Sequence, residues 1–256
     1  MLKSEEITSR LTGSLKSLHL PTVRTSYAES ALVARREGHS YERYLLELIE
    51  LECEDRQYRR VERLRRASKL PMEKTMESFE LDLMPEKVRQ QIGPLLEGGF
   101  LGRTENILAF GNPGSGKTHL LCAIGHELTQ QGYRVLFRPC SLLVQELLVA
   151  KRDLVLPKML KRLARYHALI IDDIGYVQQS RQEMEVLFTL LADRYERGSV
   201  MLSSNLPFSK WEQIFKDPMT TAAAIDRLVH HSVILELNLD SYRLQTSKQR
   251  QIEMTQ

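Results

Sequence analysis

The sequence predicts an α/β fold: a five-stranded parallel sheet covered on both faces by helices, preceded by a small all-helical N-terminal domain. Three observations carry this. After Phe100, short unbroken apolar runs alternate with segments of helical periodicity, the pattern of strands buried on both faces. The first of these runs passes through a glycine-rich turn straight into a helical segment. Before them, no proline interrupts the chain between Val23 and Leu70, and helix formers dominate.

The elements follow in order. Residues 1–75 read as the helical N-terminal domain and residues 76–256 as the sheet-containing domain. In the first, Tyr44, Leu45, Leu48, Leu51, Tyr58, Val61 and Leu64 recur at helical spacing, so one face is apolar and the other charged. Pro71 ends that helix. Residues 71–100, punctuated by Pro71, Pro85, Pro94 and Gly98-Gly99, read as a connector. Strands are expected at 107–110, 134–138, 168–171, 200–202 and 233–235. Helices are expected at 118–131, 142–151 and 181–196, the last with Met184, Leu187, Phe188, Leu191 and Tyr195 on one side.

Composition excludes several classes. With 42% apolar and 27% charged residues the chain is of ordinary soluble, globular make-up. No apolar run is long enough to span a bilayer, and the start, Met1-Leu2-Lys3-Ser4-Glu5-Glu6, lacks the apolar core of a secretion signal. A cytoplasmic protein without membrane partners is expected. Cys53, Cys122 and Cys140 are odd in number and scattered. That gives neither a disulfide framework nor a metal-ligand spacing, so reduced, buried thiols are expected.

Gly111-Asn112-Pro113-Gly114-Ser115-Gly116-Lys117-Thr118 matches G-x-x-x-x-G-K-[ST] at every position, between an expected strand and an expected helix. Such a loop turns its backbone N–H groups inward around phosphate, and a Cβ would obstruct that path. The first turn of the following helix, which includes His119, adds its dipole and its free N–H groups. Lys117 is expected to neutralise β- and γ-phosphate oxygens of ATP, and Thr118 to offer its hydroxyl to Mg²⁺. The third strand ends in Asp172-Asp173, at the sheet edge where ligands of such folds bind. Asp172 is expected to hold Mg²⁺ through water, and Asp173 to orient or activate the attacking water. Ser203-Ser204-Asn205 closes the fourth strand, so Asn205 falls beside the same site. There it is placed to hydrogen-bond that water or the γ-phosphate, although Asn before Leu206-Pro207 also reads as a turn residue.

Charge is unevenly spread. The net charge of +3 is matched by the 15 Lys/Arg and 12 Asp/Glu of residues 1–75 alone. An acidic run, Glu47, Glu50, Glu52, Glu54 and Asp55, precedes a basic one of Arg56, Arg59, Arg60, Arg63, Arg65, Arg66 and Lys69. Because the two signs are segregated rather than interleaved at i,i+4, contact of Arg56, Arg59, Arg60, Arg63, Arg66 and Lys69 with DNA phosphates is favoured over a purely solvated face.

Several stretches carry a resemblance. They are Gly116-Lys117-Thr118-His119-Leu120, Ile171-Asp172-Asp173-Ile174-Gly175-Tyr176, Arg194-Tyr195-Glu196-Arg197, Ser204-Asn205-Leu206-Pro207-Phe208 with Trp211, Asp226-Arg227-Leu228-Val229-His230-His231, and Ser241-Tyr242-Arg243. Together they resemble the AAA+ superfamily, in the branch of the DnaA initiator and the DnaC helicase loader. Within it they are similar to the IstB-like ATPases, helper proteins of bacterial insertion sequences. The resemblance covers about residues 80–245. It implies that 111–118 is Walker A, Asp172 and Asp173 are Walker B, Asn205 is sensor 1, and Arg227 is an arginine finger offered to a neighbouring subunit's ATP. It leaves Arg243 without a role. Two departures stand out. The second Walker B acid is usually Glu, and Asp173 is one methylene shorter, so slow hydrolysis is expected. Glu183 and Glu185 are possible substitutes, although both also suit solvent or pairing with Arg. Little chain follows the fifth strand, so the helical lid of many relatives is expected to be absent.

The function this implies is an ATP-dependent, DNA-binding regulator of transposition. It would assemble as a homo-oligomer on double-stranded target DNA through ATP-bridged interfaces and recruit or stimulate a transposase. A replicative helicase loader of the DnaC type is the alternative, sharing the core but contacting a helicase. A P-loop kinase is disfavoured by the lack of an acceptor-binding insertion and by the finger position. An ATP-binding scaffold without turnover is kept in view by Asp173.

Overall fold

The computed structural model describes residues 4–174, 180–215 and 218–237. The chain divides into two compact units, Met1–Arg63 and Leu64–Gln256. The division falls inside the third helix rather than at the Pro71 break.

The first unit contains α1 (Ser4–Ser17), α2 (Pro21–Glu37) and most of α3 (Tyr41–Ser68). Pro21 sits in the first turn of α2, where its missing N–H is harmless. The core is small: Leu15, Val23 and Leu48 are buried, with Leu20, Tyr27 and Tyr44 around them. The expected apolar stripe of α3 is therefore covered only in part. Leu48 is buried, whereas Leu45, Leu51 and Tyr58 are exposed. Periodicity marks the apolar positions of a helix but not how many of them neighbouring helices cover. Glu52 is 2% exposed and accepts hydrogen bonds from the backbone N–H of Thr22 (2.9 Å) and Val23 (3.2 Å). A carboxylate of α3 thus satisfies free donors at the start of α2 and meets its dipole. Arg56 Nε donates to Glu52 at 2.8 Å.

The second unit starts with the end of α3. Residues 71–100 are more than a connector. They form a 3₁₀ turn (Leu81–Leu83), α4 (Glu86–Leu96) and the start of α5 (Gly99–Gly102). Phe79, Met84, Val88, Ile92, Leu95, Phe100 and Leu101 are all buried in one of the two main cores. Pro94 lies in the last turn of α4. The one hydrogen bond it forfeits is small beside the burial of Val88, Ile92 and Leu95, about 1.5–3 kcal/mol each.

The sheet comprises β1 (Asn106–Gly111), β2 (Val135–Pro139), β3 (Ala168–Ile174), β4 (Ser199–Ser204) and β5 (Ser232–Leu237). Its order is β2-β3-β4-β1-β5, with every pairing parallel. Between the strands run α6 (Lys117–Gln130), α7 (Cys140–Arg152), α8 (Leu156–Leu163), α9 (Arg181–Arg194), α10 (Glu212–Phe215) and α11 (Pro218–Val229). Strand residues alternate between two cores, as the pleat requires. Ile107, Ala109, Ala168, Ile170 and Met201 face α6 and α4. Leu108, Leu169, Ile171, Val200 and Leu202 face α7, α8, α9 and α11. Of the cysteines, Cys122 and Cys140 are buried as expected, but Cys53 is exposed. Burial pushes the Cys122 thiol up to about 12, so it stays protonated and inert. The expected absence of a lid, and Arg243, concern residues outside the described ones.

Arg194, 2% exposed at the end of α9, fastens the lower edge of the sheet. Its Nη1 donates to the carbonyl of Leu163 (3.0 Å), and Nη2 to those of Tyr166 (3.1 Å) and Ser199 (2.9 Å). It joins the turn before β3 to the start of β4. Burial pushes the guanidinium down to about 10, so at neutral pH it still carries its proton. Gly198 is bare for the same reason: a Cβ there would meet Arg194 Nη2 at 2.6 Å. We expect Arg194→Met to lower unfolding free energy by about 3 kcal/mol or more, because three buried carbonyls lose a charged donor. Urea denaturation followed by circular dichroism measures this.

Candidate functional site

The P-loop joins β1 to α6. Gly114 (φ 83°) and Gly116 (φ 90°) take left-handed backbone that lets the loop close on itself. Gly111 meets a further demand: a Cβ there would stand 2.1 Å from the Leu237 carbonyl oxygen of β5. Lys117, 6% exposed, reaches back across the loop, and its Nζ donates to the carbonyls of Gly111 (2.9 Å) and Asn112 (2.8 Å). The Ser115 hydroxyl is buried without a hydrogen-bond partner. The backbone of 111–118 thus folds around the Lys117 ammonium at the start of α6, a place and a charge suited to a polyphosphate.

His119 does not turn its ring into this loop. Its Nε2 lies 3.1 Å from the Thr75 carbonyl and 3.2 Å from Ser78 Oγ, and the ring meets Phe79 edge-on at 5.1 Å. The side chain ties the 75–79 segment to α6, and only its backbone remains for phosphate. Burial lowers its pKa, so the ring is neutral at pH 7.

Asp172 and Asp173 lie at a β-bulge. The β3–β4 register runs to Ile171↔Leu202 and resumes at Ile174↔Ser204, so two aspartates on β3 oppose the single residue Ser203 on β4. Asp173 is in left-handed backbone (φ 65°), a conformation Asp tolerates better than most residues. Ser203 Oγ donates to Asp172 Oδ1 at 2.7 Å and accepts the N–H of Asp173 at 2.7 Å. Thr118 Oγ1 also donates to Asp172 Oδ1 at 2.7 Å. The two residues expected to serve Mg²⁺ are therefore in direct contact across β3 and α6. A hydroxyl beside a carboxylate is a hard oxygen set that fits Mg²⁺. Asn205 Nδ2 donates to Asp173 Oδ1 at 2.9 Å, so the turn reading of Asn205 is incomplete.

Neither alternative acid is free to replace Asp173. Glu183 closes a capping box with Ser180 at the start of α9, and Glu185 pairs with Lys151 at 2.9 Å. Ser203 is the residue that sequence reasoning passed over. It stood in the quoted Ser203-Ser204-Asn205, but no spacing rule foretells the bulge that gives it its part. Arg227 lies on α11. Its Nη1 donates to the Ala223 carbonyl at 2.9 Å, and its guanidinium carbon lies 4.9 Å from the centre of the Phe188 ring.

The basic run needs correction. Across its boundary with the acidic run, signs do interleave: Arg56 pairs with Glu52 at 2.8 Å and Arg59 with Asp55 at 2.6 Å, both at i,i+4. Arg56 also donates to the His19 carbonyl. Burial opposes ionisation of Glu52, but Arg56 and the Val23 and Thr22 amides outweigh it and lower its pKa. Arg56 and Arg59 are thus bound up in the fold of the first unit. Arg60, Arg63, Arg66 and Lys69 are exposed.

With this geometry established, similarity to known proteins can be weighed. Residues 13–250 match the family model of the IstB-like ATP binding protein. An insertion sequence ATP-binding protein of Sinorhizobium fredii is 44% identical over 236 residues, which span 92% of this chain and 79% of that protein. The insertion sequence IS5376 ATP-binding protein of Geobacillus stearothermophilus is 37% identical, over 90% of this chain and 92% of its own length. Among solved structures, AMPPCP-bound DnaA from Aquifex aeolicus matches with a TM-score of 0.56 at 23% identity. The match covers 72% of this chain and 56% of that one, so this chain corresponds to little more than half of that longer chain.

The bulge yields a prediction about Ser203. Ser203→Ala removes one bond from each aspartate and leaves those of Thr118 and Asn205. ATP turnover should fall about tenfold, the scale of one hydrogen bond to a charged group, while ATP affinity changes little. Steady-state phosphate release and equilibrium nucleotide binding measure the two separately.

Proposed function

The chain belongs to the IstB-like ATP-binding family of the AAA+ superfamily, and from that premise we propose that it is an ATP-hydrolysing regulator of transposition. It assembles as a homo-oligomer on double-stranded DNA and recruits or stimulates a transposase. The observation that carries the catalytic part is the Thr118–Asp172–Ser203 contact beside the P-loop, with Asn205 on Asp173. The insertion sequence relatives favour transposition over helicase loading.

In this reading, 111–118 bind the phosphates of ATP and the Lys117 ammonium offsets their charge. Thr118 and Asp172 would hold Mg²⁺, which would supply charge neutralisation to the phosphates. Asp173 orients the attacking water and accepts its proton. Asn205 helps to fix that carboxylate by donating to its Oδ1. Arg227 is the arginine finger presented to the neighbouring subunit, its guanidinium resting on Phe188 until then. The exposed arginines of α3 meet DNA phosphates, and repetition around an oligomer raises their weak individual affinities into avidity. The protein works beside DNA in the bacterial cytoplasm, and no helix among its described residues is long and apolar enough to cross a membrane.

Lys117→Ala should lose ATP binding with the fold intact by circular dichroism. Asp173→Asn should bind ATP and assemble but turn over at least about 100-fold more slowly, the usual contribution of a positioned acid–base group. Unchanged turnover would mean that another residue activates water.

A mixing experiment tests the finger. Arg227→Ala alone should bind ATP yet hydrolyse it poorly. Mixed with Lys117→Ala protein it should regain part of the lost activity, because an intact Arg227 then meets an intact P-loop at mixed interfaces. Mixed oligomers without any recovery would place Arg227 outside the trans site.

A further inference from the structure

We infer that the second unit carries a phosphate-binding cleft of its own for DNA, framed by Arg134, Arg162 and Arg165 at the sheet edge opposite the P-loop. The cleft has a volume of about 200 Å³, and Leu64, Ala67, Val135 and Tyr166 complete its lining. All seven residues belong to the second unit. The inference rests on the proposed binding of double-stranded DNA and adds a second contact surface to it.

Three arginines line this one cleft. All three residues are exposed, and among the described residues none of their side chains has a carboxylate or other hydrogen-bonding partner. Cations at the end of a helix such as α8 are favoured by its dipole, which accounts for Arg162 and Arg165 singly. It does not account for Arg134, which comes from the turn before β2 and adds a third arginine to the same lining. Like charges held together without a counter-charge repel one another, and an incoming anion relieves that repulsion.

The mounting is rigid. Arg194 holds the carbonyls of Leu163 and Tyr166 on either side of Arg165. The Arg134 amide donates to His167 Nδ1 at 2.8 Å, and its carbonyl accepts the His167 amide at 2.8 Å. The backbones that carry the arginines are therefore fixed to one another before any ligand arrives, which limits the entropy lost on binding.

Size and continuity point to a phosphodiester chain. The cleft is smaller than the roughly 300 Å³ at which pockets begin to enclose whole small molecules, so it suits a phosphate and the edge of its sugar. Lys158, Lys161 and Arg162 are exposed along α8, whose other side buries Met159 and Leu163. They follow i, i+3, i+4 spacing, a short basic ridge whose last member, Arg162, also lines the cleft. A ridge leading into a cleft fits a repeating polyanion better than a single small anion. Guanidiniums on phosphate carry no base sequence information, which agrees with a protein that accepts many targets.

The test uses the full chain with ATP and Mg²⁺ and measures binding to several labelled duplexes across a salt series. In Arg134→Gln/Arg162→Gln/Arg165→Gln, affinity at 0.15 M salt should drop at least about tenfold on every sequence. The slope of log affinity against log salt should become shallower by about 2 to 3, as expected for three lost phosphate contacts. Equilibrium ATP binding should stay at the wild-type value, showing that the fold survives, and Lys at the same three positions should restore part of the affinity. If the wild type binds duplex while the Gln variant matches its affinity and slope, the cleft does not touch DNA and this inference alone fails. If the wild type does not bind duplex at all, the proposed DNA binding fails and the cleft assignment falls with it. If the variant keeps DNA binding but loses binding to a polyglutamate peptide, the cleft is an acidic-peptide site and the assignment is overturned.

Discussion

Two consecutive aspartates serve one site only because the strand that bears them is interrupted. In a regular strand, neighbouring side chains point to opposite faces. The bulge sets Asp172 and Asp173 against Ser203 alone, and the left-handed backbone at Asp173 turns the second carboxylate toward Asn205. Such a conformation costs of the order of 1 kcal/mol and persists where its surroundings fix it. Here Ser203 bonds both aspartates and Asn205 bonds one. The arrangement of the candidate site is thus a property of two adjoining strands as much as of the motif on either.

The parts of the fold that were legible in the sequence are those written in local pattern. Five unbroken apolar runs became five strands, with ends displaced by no more than a few residues, because parallel strands buried on both faces can be little else. The P-loop was legible because its spacing is a covalent requirement of wrapping phosphate. The overlooked helices have other causes. α4 was hidden by Pro94, whose penalty at the last turn is modest while Val88, Ile92 and Leu95 hold the helix in place. α8 and α11 are short, lying between elements with stronger signals, and packing rather than propensity sustains them. In the site, the nearness of Thr118 to Asp172 was legible from the loop motif and the acidic strand end. Ser203 and the turned-away ring of His119 were not, since both depend on which strand or loop lies opposite.

The charge runs show a related limit. Read as blocks, the acids and bases of residues 47–69 looked segregated, yet the seam between the blocks is where they meet. Glu52 and Asp55 each face a basic partner one turn on, and Glu52 also caps a neighbouring helix. A composition count assigns every Arg the same freedom, whereas tertiary structure commits some and leaves others exposed. Arg194 is the extreme case: a residue type associated with surfaces and ligands is here an interior fastener, with carbonyls as its partners.

The first glycine of the P-loop has an effect that reaches beyond phosphate. Gly111 sits in register with Leu237, so close to its carbonyl that not even a methyl group fits between them. The loop and the tail end of β5 are in that sense one mechanical part with no play in the joint. Any displacement that a nucleotide imposes on the loop bears directly on Leu237 and so on β5. A loosely packed contact would absorb the same displacement.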